Sequence, residues 1–122
     1  MDTRTKIIDL EGAASLAGRR LILAAGSFDV LRADHARWLG DLRAEGHLLL
    51  AVVYDDASLG RPLLGEQARA QLAAALAAVD YVILWPRDQL DALATRLQAD
   101  RVERVPFDER QIIELVLEKN RS

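Results

Sequence analysis

LILAAGSFDVLRADHARWL, residues 21–39, reads as a buried strand that passes through a glycine turn into a helix. The apolar run at residues 21–25 shows no alternation, which is typical of a strand buried on both faces of a parallel sheet. Asp34 is a suitable N-cap residue for the helix. The apolar face of this helix carries Trp38, Leu39 and Leu42. A strand, a glycine turn and a helix start place free backbone N–H groups at the carboxyl edge of a sheet, where anionic ligands bind in doubly wound folds. We therefore expect the functional site at this edge.

Length and composition restrict the class of protein. With 122 residues and 51% apolar composition, the chain predicts a single domain over residues 1–122. A net charge of −3, with 16 scattered Lys and Arg, gives no reason to expect a nucleic-acid partner. The absence of cysteine excludes a thiolate metal site, and the presence of only two histidines disfavours a metal site built from histidines. No apolar run approaches about 18 residues and no signal peptide is apparent, so the sequence predicts a cytoplasmic bacterial protein without a membrane partner.

Strands and helices alternate along the chain, which predicts an α/β fold. The predicted strands are Arg20–Ala25, His47–Tyr54, Asp80–Trp85 and Asp100–Pro106. The predicted helices are Leu10–Gly18, Asp34–Glu45, Gly65–Val79, Asp88–Ala99 and Asp108–Leu117, and the third of them has Leu72, Leu76 and Val79 on its apolar face. We expect a doubly wound parallel sheet of about four strands, with the strand at residues 21–25 in its centre and helices on both faces.

The turn after the first strand carries a family resemblance. GSFDVLRADHARWL is similar to the (T/N)GxFDxxHxGH signature of the cytidylyltransferase-like nucleotidyltransferases, and most of all to the adenylyltransferase domain of bacterial ADP-heptose synthase. The matching positions are Gly26, Phe28, Asp29, Leu31 and His35. Arg32 stands where the family has its first histidine, and Asp34 stands where it has glycine.

Four later segments resemble the same family in part. Residues 55–58 resemble its N-S-D-x-S turn, although any buried strand must be followed by a polar turn. LGRPLLGEQAR, residues 59–69, keeps Arg61 and Arg69 but lacks about half a dozen residues and the family's lysine. The strand at residues 80–85 resembles VDYVVIF, and it ends in Trp85, on which a nucleobase could stack. In the last helix Asp108, Glu109 and Arg110 replace the family's hydroxyl side chains.

The resemblance implies catalysis by positioning and charge neutralisation around a nucleoside triphosphate with Mg²⁺, while a sugar phosphate or similar substrate attacks the α-phosphate. It implies His35 and Arg32 as catalytic residues. The nucleotide-binding residues that it implies are Gly26, Ser27, Phe28, Asp29, Asp34, Arg61, Arg69 and Trp85. From the residues alone, solvent exposure of Arg61 and Arg69 is as consistent with the sequence as ligand binding is. For His35, an ordinary place in the first turn of a helix is as consistent with the sequence as a role in ligand binding. Asp34 opposes catalysis, because like charges about 4 Å apart at an effective dielectric near 20 repel by about 4 kcal/mol.

Two functions of different classes therefore stay open. One is an active or weak nucleotidyltransferase in which Arg32 replaces a histidine. The other is a non-catalytic member that binds a nucleotide or phosphate ligand, with no cofactor, or that acts as an interaction module. A homodimer is expected in either case, because the chain lacks one strand of the family and so leaves an edge or a helix face less covered.

Overall fold

The computed structural model describes residues 2–29, 31–43 and 46–106 of the chain. Four strands alternate with four helices: α1 (Leu10–Ala14), β1 (Leu21–Gly26), α2 (Ala33–Arg43), β2 (Leu48–Tyr54), α3 (Glu66–Ala74), β3 (Tyr81–Trp85), α4 (Leu90–Leu97) and β4 (Arg101–Arg104). Short 3-10 turns lie at Thr3–Lys6, Asp56–Ser58 and Arg87–Gln89. The predicted helix Asp108–Leu117 lies outside the described residues.

The four strands form one parallel sheet in the order β3-β2-β1-β4. Leu21 pairs with Leu48 of β2, and Leu23 pairs with Val102 of β4, so β1 is central. The lead-in before α1 adds a parallel bridge between Ile7 and Val82 at the outer edge of β3. The predicted doubly wound α/β sheet is confirmed.

Helices cover both faces of the sheet, as the continuous apolar runs predict. On one face α2 and α3 pack on alternate strand residues, in a cluster formed by Ile22, Ala24, Leu39, Leu42, Leu49, Ala51, Val53, Ala70, Ala73, Ala74 and Val82 with their neighbours. On the other face α1 and α4 pack on the intervening residues, in a cluster that includes Ala13, Leu16, Leu21, Leu23, Ala25, Leu50, Val52, Ile83, Leu90, Leu93 and Leu97. None of the helices within the described ranges is long and apolar enough to cross a membrane.

Three helices, α1, α3 and α4, are shorter than predicted, and the predicted apolar face of α3 is wrong. The chain leaves α1 after Ala14 and turns through Gly18, whose φ of +84° lies in the left-handed region that glycine favours. In α3 the buried side is formed by Arg69, Ala70, Ala73 and Ala74. Leu72, predicted to face the core, is 38% exposed, because the side of the helix that carries Arg69 faces inwards.

The order in which strands are added to the sheet switches from one side of β1 to the other. The chain passes from β1 to β2 and β3 on one side and then crosses to β4 on the other. Ligands of doubly wound sheets bind at the carboxyl ends of the strands where this switch occurs. Here the switch point lies between the ends of β1 and β4, which are joined by a hydrogen bond from the Val105 N–H to the Ala25 carbonyl at 2.9 Å.

Candidate functional site

The turn that follows β1 is buried and has an unusual backbone conformation. Ser27, Phe28 and Asp29 are each at most 5% exposed. Phe28 has a φ of +54°, a left-handed conformation that bulky side chains rarely adopt and that tends to occur at functional turns. Its ring lies 6.0 Å from the ring of His35, centroid to centroid. The turn is therefore a specific structure that joins β1 to the start of α2.

His35 closes the first turn of α2 from within. It is fully buried, and its Nδ1 accepts a hydrogen bond from the Arg32 backbone N–H at 3.0 Å. In a neutral imidazole this places the proton on Nε2, which becomes a donor. The predicted N-cap at Asp34 is wrong: α2 begins at Ala33, so Asp34 is its second residue.

Asp34 is nevertheless held at the start of α2 by two arginines. Its carboxylate is hydrogen-bonded to Arg37 and lies 3.7 Å from the Arg32 guanidinium. The Asp34 side chain is 42% exposed. Carboxylates in the first turn interact favourably with the helix dipole, so an anionic group of the protein already uses part of the positive potential at this helix start.

Asp29 faces into the protein and joins two loops. Its two carboxylate oxygens accept hydrogen bonds from the backbone N–H groups of Leu63 and Leu64, the latter at 2.7 Å. Carboxylates that accept backbone N–H bonds form strong, charge-assisted contacts. Asp29 therefore positions the loop before α3 against the turn after β1.

Arg69 is the central positioning residue of this edge, and its side chain is fully buried. Its Nη1 donates to the carbonyl oxygens of Ser27 at 2.8 Å and Tyr54 at 2.6 Å. Its Nε donates to the Leu64 carbonyl at 3.0 Å, and its Nη2 donates to Asp56 Oδ1 at 2.8 Å. The hydrogen bond from Arg69 lowers the pKa of the Asp56 carboxyl below its usual value.

The solvated alternative for Arg69 is wrong, because its side chain is fully buried and its donors contact the protein, while its predicted role in nucleotide binding stays a prediction. Arg69 ties the ends of β1 and β2 to the loop before α3 and to the 3-10 turn after β2. A signal existed in the sequence: Arg69 is followed by alanines at the i+1, i+4 and i+5 positions, small residues that leave room for a buried long side chain.

A cleft of about 620 Å³ opens at the carboxyl edge of the sheet. It is lined by Asp55, Ala57, Ser58, Pro86, Arg87, Asp88 and Arg104, from the loops after β2 and β3 and from the end of β4. The Arg87 guanidinium carbon lies 5.6 Å from the centroid of the Tyr54 ring, and its backbone N–H donates to Ser58 Oγ at 2.9 Å. Arg87 and Arg104 were not singled out from sequence, although each lies at or just after the carboxyl end of a strand.

The remaining predicted residues, Arg61 and Trp85, belong to other segments of the chain. Arg61 is exposed in the loop before α3. Trp85 ends β3, which is separated from β1 by β2, and its Nε1 donates to the Gln89 carbonyl at 2.9 Å. The structure thus brings together the residues of the turn and of the helix start, namely Gly26, Ser27, Phe28, Asp29, Arg32, Asp34 and His35, whereas Trp85 lies at the sheet edge.

Within the described ranges, no group of three or more histidine and carboxylate side chains could hold a metal ion. A Mg²⁺ ion that arrives with a nucleotide is held mainly by phosphate oxygens and water, with one or two protein carboxylates. Asp55 and Asp88 supply carboxylates of that kind at the cleft. These two carboxylates would fit a Mg²⁺ ion that a bound nucleotide carries.

Comparison with known proteins relates the chain to part of larger proteins. It is 38% identical over 93 residues to the bifunctional protein HldE of Pelobacter propionicus, a match that covers 71% of this chain and 18% of that protein. It is 35% identical over 109 residues to the bifunctional protein HldE of Geotalea uraniireducens, covering 80% of this chain and 22% of that protein. The chain thus matches about a fifth of the length of these curated relatives. No protein-family model matches it.

The fold also has a solved counterpart. The lipopolysaccharide core biosynthesis protein from Thermoplasma volcanium superposes with a TM-score of 0.65 and 24% sequence identity, over 84% of this chain and 90% of that one. At this level of identity the likeness concerns the fold. It agrees with the α/β architecture of the parallel sheet.

Proposed function

We propose that this chain, a cytidylyltransferase-like domain related to the bifunctional HldE proteins, binds a nucleotide or another phosphate-bearing ligand. The ligand binds at the carboxyl edge of the sheet, and the protein catalyses little or no nucleotidyl transfer. The observation that carries the loss of transfer is the Asp34 carboxylate, which lies in the first turn of α2 between Arg32 and Arg37.

The position of Asp34 sets the electrostatic problem. A triphosphate that approached the start of α2 would meet a like charge, and at about 4 Å and an effective dielectric near 20 the repulsion is about 4 kcal/mol. Arg32 and Arg37 offset part of this repulsion, but both already interact with the carboxylate. A phosphate must therefore compete with Asp34 for the same donors.

The other donors of the resembled family are also reduced. Of its two histidines and its lysine, this chain keeps His35 alone, and Nδ1 of His35 is used by the Arg32 backbone. Loss of one well-placed donor typically lowers kcat by about a hundredfold to a thousandfold, so several losses together leave little catalysis. Arg32 is the one visible replacement, and it lies 3.7 Å from Asp34.

Ligand binding is supported by the cleft at the carboxyl edge of the sheet. Arg87 and Arg104 bring two guanidinium groups to it, and such groups recognise phosphate through paired hydrogen bonds. Arg104 is 58% exposed and its contact to Asp91 is long, at 3.5 Å, so it is available to a ligand. The cleft has the size of ordinary small-molecule sites.

We expect Mg²⁺-ATP, Mg²⁺-CTP or a sugar phosphate to bind in calorimetry with modest affinity, and no pyrophosphate to appear above the blank when NTP and sugar phosphates are combined. Arg87→Ala with Arg104→Ala should weaken binding at least about tenfold, a loss of about 1.4 kcal/mol. The matched control is Arg96→Ala, an exposed arginine of α4 without a described polar contact. Turnover near the usual 1–1000 s⁻¹ would contradict the loss of catalysis. Failure of all three ligands to bind would instead favour an interaction module.

The homodimer stays a prediction that rests on the missing strand. Sedimentation equilibrium over a wide concentration range tests it, with twice the chain mass of 13.5 kDa as the expected result. A single 13.5 kDa species at the highest concentration would contradict it.

A further inference from the structure

The amino edge of the sheet, opposite the candidate site, carries a basic pocket of about 350 Å³. We call it the amino-edge pocket; it is lined by Arg19, Arg20, Arg43, Gly46, His47 and Leu48. These residues come from the segments that enter β1 and β2 and from the end of α2. Three arginines and a histidine therefore face one recess in a chain whose net charge is −3.

Two of these side chains already face carboxylates. Arg43 donates to both carboxylate oxygens of Asp80, at 3.1 and 2.9 Å. His47 Nε2 lies 3.7 Å from Asp100 Oδ2. Both carboxylates are also structural, since Asp80 accepts the Leu49 N–H and Asp100 accepts the Leu21 N–H.

Arg19 and Arg20 face no such carboxylate within the described part of the chain. Neither the Arg19 nor the Arg20 guanidinium has a hydrogen-bond or ion-pair partner among the residues that the structure describes. In the same wall, His47 Nδ1 is buried and has no hydrogen-bond partner within the described part of the chain. Buried polar atoms are nearly always paired with protein or water, so an unpaired one beside a polar recess is unusual.

The backbone holds these groups in place. The Leu48 N–H donates to the Arg20 carbonyl at 2.8 Å, which joins the entries to β1 and β2. Gly46 has a φ of +85°, and a Cβ there would meet nothing within 4 Å, so the turn needs glycine for its conformation rather than for space. The recess is thus formed by ordered chain entries of two buried strands.

We propose that the amino-edge pocket binds a small phosphate-bearing anion through Arg19 and Arg20. Guanidinium groups match phosphate with paired hydrogen bonds, and a recess of this volume suits a compact ligand. A strand rises about 3.3 Å per residue, so the length of β1 separates this pocket from the carboxyl edge by about 20 Å. A compact ligand cannot span both, and this site is independent of the proposed function.

Titration of the ¹⁵N-labelled protein with inorganic phosphate and, separately, with a sugar phosphate tests the pocket at constant ionic strength. We expect saturable shifts of the Gly46, His47 and Leu48 amides, and at least a tenfold weaker response in the Arg19→Ala, Arg20→Ala double variant. Arg96→Ala should bind like the unmodified chain, and Arg87→Ala with Arg104→Ala should lose carboxyl-edge binding alone.

Each outcome of this titration is decisive. A tighter response to the sugar phosphate identifies a phosphate ester as the ligand, whereas an equal response identifies the phosphate group itself, and both support the pocket. Absence of saturable shifts at the three amides overturns the proposal. It is equally overturned if the double variant, shown to be folded by its unchanged remaining spectrum, responds as the unmodified chain does.

Discussion

Arg69→Leu should lower the free energy of unfolding by about 4 kcal/mol, a large part of the 5–15 kcal/mol typical of a domain. The substitution leaves the carbonyl oxygens of Ser27, Tyr54 and Leu64 without the donor that each now has. Each buried polar group left unpaired costs about 1–3 kcal/mol, and burial of the leucine side chain returns part of this loss. Denaturant unfolding followed by circular dichroism measures the change.

Two further variants identify the cause of that loss. Arg69→Lys keeps the positive charge but cannot reproduce the planar fork, so it should fall between the leucine variant and the unmodified chain. Arg96→Leu, on the exposed side of α4, is the matched surface control. If Arg69→Leu unfolds at the same denaturant concentration as Arg96→Leu, then the hydrogen bonds of Arg69 do not stabilise this edge.

The pKa of Asp56 gives a readout specific to the same contact. Arg69 lowers this pKa in the folded state, so the stabilisation is present above the pKa of the unfolded chain and is lost as pH falls through the folded value. In Arg69→Leu the pKa of Asp56 should return towards its ordinary value, which an NMR titration of the side-chain carboxyl detects. An unchanged Asp56 pKa in a folded Arg69→Leu variant would contradict the role given to this hydrogen bond.

The sheet could be predicted from sequence because its signal is local and strong. The runs at residues 21–25 and 48–53 are apolar without interruption, and turn residues bound them, which leaves few alternatives to buried parallel strands. The ends of helices were harder to predict from sequence, since the hydrogen bond at the start of α2 is accepted by the His35 side chain rather than by the expected Asp34. The apolar pattern also assigned Leu72 to the core of α3.

The placement of Arg69 shows why that assignment failed. Periodicity treats arginine as a solvent-facing residue, and only the carbonyl groups at the ends of two distant strands make its burial favourable. Sequence patterns are limited in the same way at the site. The motif could place Asp29 in the turn, but it could not show which loop N–H groups would donate hydrogen bonds to the Asp29 carboxylate. Arg87 and Arg104 became candidates only because the strand order places the loop after β3 and the end of β4 at one cleft. The roles of the site residues themselves stay predictions.

Asp34→Gly combined with Arg32→His should raise the affinity for Mg²⁺-ATP or Mg²⁺-CTP at least about tenfold, or about 1.4 kcal/mol. The substitution removes the carboxylate from the first turn of α2 and releases Arg37, which is now hydrogen-bonded to it. The positive end of the helix dipole then becomes available to a phosphate, together with a histidine at the position the resembled family uses. Calorimetry on the unmodified chain and the double variant measures the change.

The Asp34→Asn, Arg32→His variant separates charge from space at the helix start. Asparagine has nearly the size of aspartate but no charge, so it should recover most of the gain if repulsion is the barrier and little of it if the missing glycine matters for close approach. Turnover should remain near the blank in both variants, because the lysine and the hydroxyl side chains of the resembled family are still absent. Weaker nucleotide binding in the glycine variant would mean that Arg32 or Asp34 is itself a ligand-binding residue, and that this chain holds its phosphate in a way the family pattern does not predict.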